Sequence, residues 1–180
     1  MKLLFLAFLV VAYTNTSAQQ KYLDSLHNIV NNAKEDTSKV LALLSIAEYY
    51  GFNHFDSAFV YAQKTIELSK KLDYPYGNSQ GLRALFYAFN CQGNYPKALE
   101  VTLQNFKIAE KIKKERPWNY SVVIYFIGLL NREMGNDSIA INHFHQAIRI
   151  NEEAKPASIR RRRIHCIYHS FAGSIRSYFF

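Results

Sequence analysis

Six histidines, two cysteines and a run of four arginines are the residues of this 180-residue chain whose types suit chemistry. His143 and His145 stand two apart, and on a helix such neighbours point about 200° from each other and cannot share a metal. His165 and His169 are four apart and fall on one helical face, with Cys166 nearby but off it. Zinc wants a third and a fourth ligand, and no acidic residue follows Glu153, so no metal site is expected. Cys91 and Cys166 lie far apart without metal-type spacing, which reads as two small buried thiols rather than a disulfide. No glycine-rich phosphate loop, nucleophile elbow or paired-carboxylate site is visible, so neither an enzyme nor a cofactor is expected. The arginines Arg160, Arg161, Arg162 and Arg163 suit anionic lipid headgroups or nucleic acid. The plainer reading is a solvated basic turn before a last helix.

The positive charge has an address. The chain carries a formal net charge of +8, yet residues 19 to 155 hold 16 Lys and Arg against 14 Asp and Glu. Residues 156 to 180 hold five Arg and no acid. The body is therefore almost neutral and the basicity belongs to the tail. Seven Gly and four Pro leave little room for a turn-rich β fold, and 13 Tyr and 13 Phe supply bulk for a helical core.

The elements follow from periodicity. Residues 121 to 154 read as two amphipathic helices around Met134-Gly135-Asn136-Asp137. Ile124, Ile127 and Leu130 mark the first. Ile139, Ala140, Phe144, Ala147 and Ile148 mark the second. Gly135 suits the left-handed residue that ends a helix, and Asn136 or Asp137 suits the next cap. Such a pair cannot bury its faces alone, and the unit recurs. Gly93-Asn94-Tyr95-Pro96-Lys97-Ala98-Leu99 overlays Gly135 to Ile141 at an offset of 42, and Asn53 to Phe59 overlays Gly93 to Leu99 at 40. Lys70 to Asn78 and Lys111 to Pro117 read as breaks, with basic last turns and Pro. Before the repeats, Tyr22, Leu26, Ile29 and Val30 form the face of a leading helix, and Glu35 to Ser38 signals a helix start.

The pattern resembles the tetratricopeptide repeat. Gly128, Gly135, Ala140, Phe144 and Ala147 carry the resemblance, as do Gly93, Tyr95 and Ala98. Phe86, Thr65 and Asn105 depart from it, standing where that family prefers small residues. The periods also exceed its typical length of about 34. The resemblance implies an all-α fold, a right-handed α-solenoid of antiparallel helix pairs. It divides the chain into a leading helix over 19–36, three repeats over about 37–76, 77–116 and 117–155, and a basic tail or incomplete fourth repeat over 156–180. In such a stack Ala98 and Ala140 are points of close helix approach.

The resemblance also implies a binding surface. First helices of stacked repeats line the concave face, where the family binds peptides or partner proteins. Outside the packing residues, that face carries Leu44 and Glu48, then Arg83, Tyr87 and Asn90, then Tyr125, Leu129 and Arg132. Arg and Tyr are enriched in binding hot spots. The expected partner is a peptide or protein segment in this groove. Nucleic acid is disfavoured, and a membrane surface is open only to the arginine tail. The resemblance further suggests the input module of a bacterial sensor or regulator, or a truncated form of one. A structural assembly scaffold and a basic-tailed nucleic-acid or lipid binder are the alternatives.

Residues 1–18 read as a secretory signal. Met1-Lys2 precedes the uncharged run Leu3 to Tyr13, and Thr14 to Ala18 supplies small and polar residues. Eleven residues span about 16 Å as a helix, short of a bilayer core of about 30 Å. The residue directly after Ala18 is Gln19 rather than Cys, which excludes a lipoprotein signal; the alternative is an apolar core helix. Export, to a bacterial periplasm, is the expected localisation. N-terminal sequencing of the mature protein should then begin at Gln19, whereas an intact Met1 would exclude cleavage there.

Overall fold

The computed structural model describes residues 20–51 and 54–154. These residues form seven α-helices, with no strand among them. The helices are α1 (20–32), α2 (Thr37–Tyr50), α3 (Phe55–Lys71), α4 (Pro75–Cys91), α5 (Tyr95–Lys111), α6 (Pro117–Glu133) and α7 (Asp137–Ala154). They fall into two compact units, one ending at Asn94 and one beginning at Tyr95. In the first, α2 packs on α3, α3 on α4, and α2 also touches α4. In the second, α6 packs on both α5 and α7. Residues 1–18, expected to be a secretory signal, and the tail 156–180, with its arginines, His165, His169 and Cys166, lie outside the described residues.

The helix ends have local causes. The Asp36 carboxylate accepts from the backbone N–H groups of Ser38 (2.9 Å) and Lys39 (3.1 Å), capping α2. Pro75 and Pro117 open α4 and α6 in the first turn, where no N–H is needed. Three helices close alike. Tyr74, Asn94 and Asn136 each donate to a carbonyl five residues back, at 2.8, 2.9 and 2.8 Å. The residue before each has positive φ: Asp73 (46°), Gly93 (67°) and Gly135 (78°). Asp is one of the few side chains that tolerates this conformation.

Helix spacing and burial share one register. Helices α3, α5 and α7 begin at Phe55, Tyr95 and Asp137, offsets of 40 and 42. Each buries the same positions: Ala58, Ala62 and Thr65 in α3, Ala98, Thr102 and Asn105 in α5, Ala140, Phe144 and Ala147 in α7. The departures Thr65 and Asn105 are thus core residues. Thr65 Oγ1 donates to the Tyr61 carbonyl (2.8 Å) and Thr102 Oγ1 to that of Ala98 (2.6 Å), so each buried hydroxyl has a partner within its own helix.

Close approach is written in glycines. A Cβ built on Gly128 would sit 2.6 Å from Phe144 Cε1 and 3.3 Å from the Ala140 carbonyl oxygen. One on Gly81 would sit 2.7 Å from Ile66 Cγ1 and 3.2 Å from the Ala62 carbonyl oxygen. Gly77 corrects the reading of 70–78 as a break. It lies inside α4, buried, where a Cβ would meet Ser69 Oγ at 2.5 Å and Val40 Cγ1 at 2.8 Å. Packing against α3 and α2 there outweighs the cost of about 1 kcal/mol for glycine in a helix. Accordingly α4 starts at Pro75, just before the expected boundary at 76.

Other faces are also rotated from expectation. The buried line of α1 is Leu23, Leu26 and, partly, Val30, against Ala42 and Ile46; Tyr22 and Ile29 are exposed. The line at i, i+3, i+7 centres one residue away from the one read from Tyr22 and Ile29. In α7, Ile139 is 49% exposed because it sits about 100° from the Ala140–Phe144–Ala147 row. Cys91 is exposed, since it ends α4 beside the exposed turn residues Gln92 and Gly93, and so is not the buried thiol expected.

The Gly128 contact yields a stability prediction. Gly128→Ala should lower unfolding free energy by about 1–2 kcal/mol, overpacking exceeding the gain in helix propensity. In a Phe144→Leu background the same substitution should cost less, because the ring it meets is gone. Denaturant unfolding of the four proteins measures the coupling.

Candidate functional site

The first unit holds four of the expected site residues on two helices. Glu48 lies near the end of α2, and Arg83, Tyr87 and Asn90 follow one another at i, i+4, i+7 along α4. Contact between α2 and α4 brings the two sets together. Arg83 Nη2 donates to Glu48 Oε1 at 2.5 Å. The arginine side chain is 19% exposed and the glutamate side chain 50%. Tyr87 is 37% exposed, with its ring edge-on to Phe86 at 5.5 Å. The side-chain oxygen of Asn90 is buried without a hydrogen-bond partner among the described residues.

Leu44 does not join this face. It is 7% exposed, a core residue, because α2 is covered on several sides. Ala42 and Ile46 pack with Leu23 and Leu26 of α1, and Val40 and Leu43 with Leu68 of α3. Leu41 and Glu48 remain exposed.

The second unit holds Tyr125, Leu129 and Arg132 along α6, each partly buried. Tyr125 packs its ring on Phe144 of α7 at 5.4 Å and on Phe126 at 6.1 Å. Arg132 donates to Glu133 Oε1 from Nε (3.2 Å) and Nη2 (2.7 Å). The Tyr95 hydroxyl, from the start of α5, donates to Glu133 Oε2 at 3.2 Å. Glu133 and Tyr95 were missed by sequence reasoning. Adjacent helical residues do not ordinarily face each other, so Glu133 gave no signal beside Arg132. Tyr95 marks the repeat in the sequence, but nothing local joins it to Glu133, 38 residues away.

The electrostatics follow from these contacts. Burial pushes the Tyr87 phenol above its ordinary value; Arg83 opposes this and Glu48 adds to it. The charge of Glu133 raises the Tyr95 phenol, and its hydrogen bond adds to the effect. A surface of one ion pair and one half-buried phenol offers hydrogen bonds and an apolar ring. Among the described residues no group of three or more His, Cys, Asp or Glu is placed to hold a metal ion. Nor is any of their helices long and apolar enough to cross a membrane. No protein-family model, curated protein or solved structure matches the chain.

Tyr87 gives a pH dependence of definite sign. Its native value lies above the unfolded one of about 10. Its contribution is therefore complete below about pH 10 and is lost as pH rises through the native value, where the unfolded chain has released its proton first. Denaturant midpoints measured from about pH 9 to 11 should fall for the parent chain and fall less steeply for Tyr87→Phe.

Proposed function

We propose that this chain is a non-enzymatic binding module that holds an extended peptide or protein segment on the face formed by α2 and α4. The observation that carries the reading is the convergence of Glu48 with Arg83, beside the half-buried Tyr87. An extended peptide presents alternating backbone N–H groups and side chains. The Tyr87 ring can cover an apolar side chain, and a guanidinium can take a carboxylate in two hydrogen bonds. Tyr125, Leu129 and Arg132 offer a comparable set along α6.

The wider reading is a right-handed, tetratricopeptide-like solenoid. Its support is the common register of α3, α5 and α7 and the contact between α2 and α4. The apolar run at the N-terminus supports export. An exported array of this kind serves as the sensing or input part of a signalling protein, through the partner that it binds.

The test is a screen of immobilised extended peptides, followed by titration of the peptides retained. Arg83→Ala and Tyr87→Ala should each weaken binding about thirtyfold, the effect of losing a hot-spot contact of about 2 kcal/mol. Lys107→Ala, an exposed change on α5, should leave binding unchanged. Arg83→Ala should also cost about 1 kcal/mol of stability, because its side chain is only 19% exposed and pairs with Glu48, so binding is compared well below the unfolding temperature. Equal loss in the Lys107 variant, or none in the other two, would remove the site from this face.

A further inference from the structure

Glu48 occupies a position that its own surroundings do not favour. It lies two residues before the end of α2, whose last turn carries no basic residue. The C-terminal end of a helix carries partial negative charge and repels a carboxylate. What holds the Glu48 side chain is Arg83, 2.5 Å away on a different helix. The pair is also layered. Half of the glutamate side chain is open to solvent, whereas the arginine beneath it is 19% exposed. A group approaching Arg83 from outside therefore meets Glu48 first. Swinging outward, the carboxylate loses one partner and little burial.

We infer that Glu48 is a built-in competitor for the Arg83 guanidinium, so that an acidic ligand gains this face by displacing it. The inference rests on the peptide-binding reading above and adds its selectivity. A neutral peptide has nothing to exchange for the ion pair and binds around it. A peptide carboxylate replaces Glu48 on Arg83, and the released Glu48 returns to water. Because half of the glutamate side chain already faces water, Glu48 gives up little when the pair opens. The closed arrangement screens out weak anions, and the multiple contacts of an extended acidic segment overcome it.

The experiment uses two probes, a hexapeptide alternating leucine and glutamate and its leucine–glutamine counterpart. Each is titrated into the parent chain, Glu48→Gln, Arg83→Gln and the double variant, after circular dichroism shows that all four are folded at the titration temperature. Glu48→Gln should raise the preference for the glutamate peptide over the glutamine peptide about two- to fivefold, the equivalent of one surface ion pair. The gain should vanish in the Arg83→Gln background. An unchanged or lower preference in Glu48→Gln overturns the competition. If Arg83→Gln still weakens that peptide, the binding face survives without its competitor. If no variant binds either peptide, the binding face falls and the competition with it.

Discussion

The missing side chain at Gly128 lets α6 and α7 come close enough for the Phe144 ring to occupy the space where a methyl group would be. Gly81 does the same for α3 and α4, with Ile66 in that space. These approaches fix where each helix lies against its neighbour, and the rest of each unit is built on that spacing. Phe144 is 5% exposed and Ile66 is likewise buried, and each such side chain contributes about 1.5–3 kcal/mol on leaving water. The gain depends on the glycine opposite. A β-carbon there would hold the helices apart and leave the packing incomplete over several neighbours.

Small residues bring a second consequence. Narrow interfaces leave little room for large apolar side chains, so the buried row of α3 and α5 includes Thr65, Ser69, Thr102 and Asn105. Buried polar atoms must find partners. The threonines do so within their own helices, while the Ser69 hydroxyl finds none among the described residues. The close packing of α4 on both α3 and α2 also sets the height of Arg83 against Glu48. The candidate binding face is in this sense a by-product of the glycine contacts at Gly77 and Gly81, which seat α4 on its neighbours.

The helical class was legible because the apolar period of 3.6 is clear in α3, α4, α5 and α7, weaker in α2 and α6, and Pro75, Pro117, Gly93 and Gly135 punctuate it. The register of α3, α5 and α7 was legible because Ala58, Ala98 and Ala140 recur at fixed offsets. Faces were less so. Tyr22 and Ile29 share a plausible stripe with Leu26, and only the position of Ala42 and Ile46 decides that Leu23 is the residue turned inward. Gly77 after Pro75 looks like a breaker in one dimension and is a contact in three. At the candidate site the residue types were readable but their partners were not. Nothing local joins Glu48 to Arg83, 35 residues away, and only helix packing makes them a pair. Nor does spacing reveal that Arg132 turns to its own neighbour Glu133 or that Tyr125 leans on Phe144.

The most direct test of this account is a nuclear Overhauser spectrum of the isotopically labelled chain in solution. If α6 and α7 meet as described, the α-protons of Gly128 give strong cross-peaks to the ring protons of Phe144, and those of Gly81 to the side-chain protons of Ile66. Assigned resonances that show neither cross-peak would mean that the helices do not approach at these glycines, and the spacing on which the binding face depends would be wrong.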